Sequence, residues 1–317
     1  MKPEILLTGT NGQVGRELSL MLPHVGNVTP LDRQRLDLSE PEEIRRAIRT
    51  VRPSLIVNAA AYTAVDQAES DEKAARAINA EAPAVMAEEA KKIGASLVHY
   101  STDYVFDGVK TTPYGENDPT NPLNIYGRTK LDGERAIQQS GVPYLIFRTA
   151  WVYATRGRNF FLTILRLGAQ REELRIVRDQ IGAPTWSAEI AGATTRVLAQ
   201  LYGGESGRLS FPEVSGVYHM TAGGETNWYE FANAILAEAA RNCPMAPWFM
   251  TATNHLPLIA CHVIPVTTKE YPTPARRPAY SVLSNARLAR VFSVQLPDWQ
   301  MQLHSVCAGL LPKVLQA

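Results

Sequence analysis

Ile5-Leu6-Leu7-Thr8-Gly9-Thr10-Asn11-Gly12-Gln13-Val14-Gly15 joins an apolar run to a glycine-rich turn, and a helical pattern over residues 16–22 follows at once. A strand that passes through a GxxGxxG turn into a helix is suited to a pyrophosphate. Gly9 permits the tight turn, Gly12 lets the backbone approach the phosphates, and Gly15 lets helix and strand pack closely. N–H groups left free at the start of the helix then face the anion. Gly9, Asn11, Gly12, Gln13, Val14 and Gly15 are therefore candidate dinucleotide contacts. Any glycine-rich turn shares this composition; the position at the first strand–helix junction favours the binding reading. Asp32 stands 23 positions after Gly9 (32 − 9), where an acid binds the adenosine ribose hydroxyls and points to NADH. Arg33 and Arg35 beside it suit a 2′-phosphate and point to NADPH, so both cofactors stay open.

Outward from this turn the first half alternates short apolar runs with helical patterns. Residues 28–31 read as a second strand, weakened by Pro30. Ser39 is placed to cap a helix over 42–50, with Pro41 in its first turn. Residues 55–57 read as a third strand, and 72–93 as a helical region kinked or broken at Pro83. Residues 97–100 form another strand, 125–139 a helix and 144–147 a strand. This alternation implies βαβ units with right-handed crossovers, hence an α/β fold built on a doubly wound parallel (Rossmann) sheet covered on both faces. Ligands of such a sheet bind beyond the carboxyl ends of its strands. After residue 150 the alternation weakens. Helices are expected near 160–169, 188–201 and 228–240, a strand at 217–220, and loops at 243–247 and 271–278. The organisation expected is a dinucleotide-binding domain over residues 1–150 and a smaller, discontinuous α/β substrate lobe over 151–317, with segments of about 186–220 returning to the first domain.

Composition narrows the function. With 317 residues the chain has room for about two domains. Lys and Arg total 32 against 31 for Asp and Glu, which argues against nucleic acid held by bulk charge. The three cysteines, Cys243, Cys261 and Cys307, are dispersed and odd in number, without CxxC or Cys/His zinc spacing. They read as reduced thiols, and no metal site is expected. No apolar run approaches the roughly 18 residues of a membrane helix. Only three apolar residues precede Thr8-Gly9, too few for a signal-peptide core. The expected location is the cytoplasm.

Tyr126-Gly127-Arg128-Thr129-Lys130 puts a phenol and an ammonium four residues apart on one helix face. A free tyrosine has a pKa of about 10, and a nearby cation lowers it. Tyr126 is then the candidate proton donor to a substrate oxygen beside a nicotinamide, and Lys130 also holds the nicotinamide ribose. Ser101-Thr102-Asp103-Tyr104-Val105-Phe106 follows the strand at 97–100, so its hydroxyls project at the carboxyl edge. Thr102, with Ser101 second, is the candidate to hydrogen-bond the same carbonyl. A strand-end turn capped by Ser and Asp has the same residues, but three motifs each after the right element make coincidence a poor account. Asn58-Ala59-Ala60-Ala61-Tyr62-Thr63 leaves room for a cofactor; core packing explains its alanines equally well but Asn58 less well.

Together these motifs resemble the extended short-chain dehydrogenase/reductase superfamily. More narrowly, the chain resembles the dTDP-4-dehydrorhamnose reductases in Asn58-Ala-Ala-Ala-Tyr-Thr-Ala-Val-Asp66, Asn121-Pro-Leu-Asn-Ile-Tyr-Gly-Arg-Thr-Lys130, Arg148-Thr-Ala-Trp-Val-Tyr153, Asp179-Gln-Ile-Gly-Ala-Pro-Thr185 and Tyr271-Pro-Thr-Pro-Ala-Arg-Arg-Pro278. The resemblance implies reduction by NADPH or NADH of the C4 keto group of a dTDP-6-deoxy-4-keto-L-hexose, giving dTDP-L-rhamnose. It implies a catalytic set of Thr102, Tyr126 and Lys130, with Thr102, Asp103 and Trp151 touching the sugar nucleotide. Gly12, Gln13, Val14, Asp32, Asp37, Leu38, Ala61, Tyr62, Thr63 and Tyr100 would line the dinucleotide. Some family members dimerise around Mg²⁺ held by glutamates. Glu17 matches one such position, but the other two fall on Ala188 and Ala286, so no metal is expected here; a homodimer remains an expectation. Arg276 and Arg277 suit a phosphate by charge, and Asp179-Gln180 suit either a ligand or orientation of the lobe.

Two other readings share parts of the pattern. One is a different sugar-nucleotide epimerase or 4-ketoreductase of the same superfamily. The other is a non-enzymatic regulatory subunit of methionine adenosyltransferase, whose relatives carry a similar Asn-Pro-Leu-Asn-x-Tyr-Gly-x-Thr-Lys run. Trp151 belongs to the reductase pattern and argues against the second.

Overall fold

The computed structural model describes residues 2–203, 209–242, 246–260, 262–310 and 312. Its first half runs β1 (Glu4–Thr8), α1 (Gln13–Met21), β2 (Asn27–Leu31), α2 (Pro41–Val51), β3 (Leu55–Asn58), α3 (Val65–Ala68), α4 (Glu72–Arg76), α5 (Ala82–Ile93), β4 (Ser96–Thr102), α6 (Ile125–Ser140) and β5 (Tyr144–Thr149). The second half runs β6 (Val152–Tyr153), α7 (Phe160–Gly168), β7 (Glu173–Val177), β8 (Ile181–Gly182), β9 (Thr185–Trp186), α8 (Ser187–Tyr202), β10 (Gly216–His219), β11 (Thr226–Asn227), α9 (Trp228–Asn242), α10 (Pro247–Ala252), β12 (His262–Val266), α11 (Ala286–Phe292) and α12 (Trp299–Cys307).

Six strands form one parallel sheet in the order β10-β5-β4-β3-β1-β2. The continuous apolar runs are the mark of a sheet buried on both sides. Leu6, Ile56, Leu97 and Ile146 pack toward α2, α5 and α6. The alternate residues Leu7, Val57, Val98 and Phe147 join one core with α1, α7, α8, α9 and α12. Helices of the second half therefore pack directly on the sheet, and β10 extends it beside β5. The order reverses between β1 and β3, which opens a crevice at their carboxyl ends. Among the described residues, three two-stranded pairs (β11-β8, β12-β7 and β6-β9) complete the second half.

Several local expectations resolve differently. Pro30 is tolerated because β2 is the sheet edge. Ser39 does not cap α2: its N–H and hydroxyl both donate to Asp37 Oδ1, at 2.9 and 2.8 Å, and Glu40 takes the cap position. The irregularity near Pro83 is a π turn over Ala77–Glu81 rather than a break, as suits a ring that crowds the carbonyl four residues back. This turn carries Asn79, whose side chain accepts from Tyr62 N–H at 2.9 Å and donates to Thr129 Oγ1 at 3.2 Å. Pro247, read as loop, opens α10 at a position where its missing N–H costs nothing. Cys307 is buried on α12; Cys243 and Cys261 lie outside the described residues. No helix among the described residues is long and apolar enough to cross a membrane.

Glu89 ties α5 to α2. It is 1% exposed and receives Arg49 Nε at 2.7 Å, Lys92 Nζ at 2.9 Å and Arg45 at 3.1 Å. Arg49 foremost, then Lys92 and Arg45, hold its carboxyl down at about 2, against the opposing effect of burial. A folded-state carboxylate this acidic adds stability above its unfolded value near 4.5, and that contribution fades as pH falls toward 2. Glu89→Gln is expected to cost about 2–3 kcal/mol at pH 7 and little at pH 2, read by urea unfolding at both pH values.

Candidate functional site

The crevice at the β1/β3 reversal is a cleft of about 810 Å³. Its floor is the glycine turn. Gly9 has φ +73°, and a Cβ there would lie 2.6 Å from Ala60 N; a Cβ on Gly15 would lie 2.1 Å from Gly9 O. Both positions exclude side chains so that turn, helix and β3 meet without a gap. Gly12 supplies the N-cap of α1 with no side-chain cap, leaving first-turn N–H groups for a ligand. Gly9, Asn11, Gly12, Gln13 and Val14 line this end of the cleft, whereas Gly15 packs behind it. This cradle fits a dinucleotide pyrophosphate.

Asp32, Asp37 and Leu38 line the far end, with Arg33. Asp32 accepts from Asn11 Nδ2 at 3.2 Å. Arg35 turns away to the Pro30 carbonyl, at 3.1 Å. Backbone and side-chain hydrogen bonds from Ser39 hold the Asp37 carboxyl below its usual value. Ala61, Tyr62 and Thr63 line the wall beyond β3. Tyr100 borders the cleft too, but its phenol is taken by Thr194 Oγ1 at 2.6 Å. Gly157 and Arg158, in the loop after β6, also line it; sequence reasoning passed over this Arg156-Gly157-Arg158-Asn159 cluster. Arg156 donates to the Gly12 carbonyl, and Asn159 to Gln13 Oε1 at 2.9 Å, so the loop is tied to the glycine turn.

The inner end gathers Tyr126, Lys130, Ser101 and Thr149. Asn124 caps α6 by accepting from Gly127 N–H at 2.8 Å, which fixes where Tyr126 and Lys130 emerge. Ser101 Oγ and Thr149 Oγ1 are buried with no hydrogen-bond partner. Orphaned hydroxyls beside the phenol suit a polar ligand completing them. Thr149 escaped sequence reasoning because it was read only as part of a resembling segment. Lys130 Nζ donates to the Tyr100 carbonyl at 2.6 Å, and burial lowers it to about 8 against the pull of Glu134.

Burial pushes the Tyr126 phenol up to about 12, with Asp103 acting in the same direction and Thr102 opposing. The expectation that Lys130 lowers this pKa is thus not met in the free protein: the amine is committed to Tyr100 and to His99, 3.1 Å away. Thr102, Asp103 and Trp151 lie outside the cleft lining. Thr102 Oγ1 donates to Asp103 Oδ1 at 3.0 Å, and burial raises the Asp103 carboxyl to about 6. Trp151 adopts φ +47° and stacks on Trp228, with ring centroids 3.5 Å apart. Trp228, unremarked in the sequence, is held by Gln180 Oε1 at 3.2 Å. Asp179 and Gln180 both bind Thr268, which joins the segment between β7 and β8 to the one after β12. Arg277 forks onto Asp66, at 3.1 and 2.8 Å, and is not presented to a phosphate; Arg276 is exposed, and its carbonyl receives Asn124 Nδ2 at 2.7 Å. Among the described residues no group of three or more His, Cys, Asp or Glu is placed to hold a metal ion.

The family model described as the RmlD substrate binding domain matches residues 1–311. The dTDP-4-dehydrorhamnose reductase of Burkholderia thailandensis is 50% identical over 297 residues, 94% of this chain and 95% of that protein. The chain belongs to the dTDP-4-dehydrorhamnose reductase family. The reductase of Escherichia coli K12 is 44% identical, with 94% of each chain covered. The crystal structure of the Bacillus anthracis reductase in complex with NADP superposes with a TM-score of 0.84 at 33% identity, covering 96% of this chain and 99% of that one. That family places the Rossmann sheet and the GxxGxxG turn of this chain in an oxidoreductase setting.

Proposed function

We propose that the protein reduces the C4 keto group of a dTDP-6-deoxy-4-keto-L-hexose with NADPH or NADH, forming dTDP-L-rhamnose in the cytoplasm. The observation that carries the reading is the convergence of Tyr126, Lys130, Ser101 and Thr149 at the inner end of a cleft whose other end is the glycine cradle. The bound nicotinamide supplies the hydride. The rest of the chemistry belongs to the chain. The α1 N-terminus and Gly9–Gly12 backbone hold the pyrophosphate, and Lys130 holds the ribose with the N–H that its Tyr100 contact leaves free. Tyr126 gives its phenolic proton to the C4 oxygen as the hydride arrives. Its neutral form, the one that donates, persists to about pH 12, so no proton is lost at neutral pH. Thr102 sits beside the phenol and opposes the effect of burial on it; with substrate bound it would turn its hydroxyl from Asp103 to the same substrate oxygen. On the strength of the family resemblance, Asp103 and Trp151 would contact the sugar nucleotide. We also take residues 151–317, apart from the α8–β10 return, as the substrate lobe, and a homodimer as the assembly, both on the strength of the family resemblance; sedimentation at twice the chain mass tests the latter.

Steady-state kinetics with the defined 4-keto-L-sugar nucleotide and each cofactor tests the reaction. Stoichiometric cofactor oxidation is expected. An epimerase shows no net oxidation, and a regulatory subunit shows no turnover. Arg33, exposed and lining the adenosine end beside Asp32, is the candidate 2′-phosphate contact. Arg33→Ala is expected to raise KM for NADPH about tenfold, the loss of one charge-assisted hydrogen bond, with KM for NADH within twofold of the parent.

A further inference from the structure

Three neighbouring strands of the sheet each set one buried polar side chain in the same cross-strand row. The β1–β3 register sets Thr8 opposite Asn58, and the β3–β4 register sets Asn58 opposite His99. All three are at most 1% exposed. They lie two residues beyond Leu6, Ile56 and Leu97, hence on the same face, toward α6. Hydrogen bonds close the row. Thr8 Oγ1 donates to Asn58 Oδ1 at 2.7 Å, Asn58 Nδ2 stands 3.1 Å from His99 Nδ1, and His99 Nε2 stands 3.1 Å from Lys130 Nζ.

One backbone group settles the donor and acceptor roles. Ala60 N–H donates to Asn58 Oδ1 at 3.2 Å, so the amide oxygen faces Ala60 and Thr8 while Nδ2 faces His99. An amide nitrogen offers only hydrogens; His99 Nδ1 is therefore the acceptor, and the ring proton sits on Nε2. Burial keeps the ring neutral. Nε2–H then points at Lys130 Nζ. An ammonium has no lone pair to receive it. A neutral amine has one, and keeps two N–H groups for the Tyr100 carbonyl and the cleft. The other titratable groups nearby do not override this. Glu134, one turn along α6, favours the ammonium but is itself forked onto Arg148 of β5, and Tyr126, one turn back, is neutral.

We propose that His99, oriented by Thr8 and Asn58, is a positioning residue that biases Lys130 toward its neutral amine in the free protein. The claim concerns the unliganded chain and stands whichever sugar is reduced. It is tested on full-length protein carrying ¹³C-lysine, following Lys130 Cε against pH, with the resonance assigned by Lys130→Met. The His99 tautomer is read in parallel by long-range ¹⁵N–¹H spectra. Wild type is expected to show the Nε2–H tautomer and a Lys130 midpoint at or below 8. Asn58→Asp is nearly isosteric and still accepts from Thr8 and Ala60, but it presents an oxygen to His99. The ring proton must move to Nδ1, Nε2 becomes an acceptor, and the Lys130 acid constant is expected to fall at least a hundredfold. The carboxylate's own charge would raise the Lys130 midpoint without moving the ring proton, so the tautomer change is the readout that a merely structural row would not give. A wild-type Nδ1–H tautomer overturns the proposal. So does a wild-type midpoint near the ordinary value of about 10.4, or a folded Asn58→Asp whose midpoint stays put or rises without the tautomer change. Should Asn58→Asp not fold, the wild-type tautomer and midpoint decide alone.

Discussion

Tyr126→Phe is expected to lower kcat by about 10²–10⁴-fold, the ordinary contribution of a positioned proton donor, while leaving the dissociation constant of NADPH within about threefold. Phenylalanine keeps the ring that packs edge-on to Tyr104, with centroids 5.6 Å apart, so the local structure should survive. What disappears is the hydroxyl beside Thr102. Cofactor fluorescence titration separates the two quantities. A variant that retained near-parent turnover would move the proton-donor role elsewhere, with Ser101 and Thr149 as the neighbouring hydroxyls at this end of the cleft. Because burial holds the phenol near 12, the parent enzyme should show no loss of rate from Tyr126 itself across the neutral range.

The largest expected effect on stability comes from Glu134→Gln. Arg148 Nε and Nη2 fork onto the two carboxylate oxygens at 3.0 and 2.7 Å, with the side chains 4% and 1% exposed. The pair pins α6 to β5, and α6 carries both Tyr126 and Lys130. Removing the anion leaves a buried guanidinium without its counter-charge, which costs about 3–5 kcal/mol. For a chain of this size that is a fall in melting temperature of about 5–8 °C, measured by calorimetry at neutral pH. Glu134 also raises Lys130, so the variant should titrate Lys130 lower than the parent.

Much of this architecture was legible because it rests on short-range chemistry. The turn from Thr8 to Gly15 requires residues without side chains, and YxxxK shares a helix face wherever it occurs in a helix. The sheet strands carried continuous apolar runs, which only a sheet covered on both faces tolerates. Features set by distant pairing were not legible. His99 was read only as one residue of a strand, since its row with Thr8 and Asn58 depends on the register of three strands. The fork from Arg277 to Asp66 spans most of the chain, and the stack of Trp151 on Trp228 depends on how the second half folds back. Ser39 misled because a side chain two residues earlier, Asp37, competed for its donors. The π turn before Pro83 was missed because widening by one residue leaves the helical pattern intact.

The proposed reaction brings a phenol, an amine and a bound nicotinamide together at one sugar carbonyl. Hydride transfer from C4-deuterated NADPH to the 4-keto-L-sugar nucleotide tests it directly. The account predicts one deuterium at C4 of the dTDP-linked product, in equimolar amount with oxidised cofactor and lost in Tyr126→Phe along with turnover. Product without deuterium, or full transfer by Tyr126→Phe at the parent rate, would contradict it.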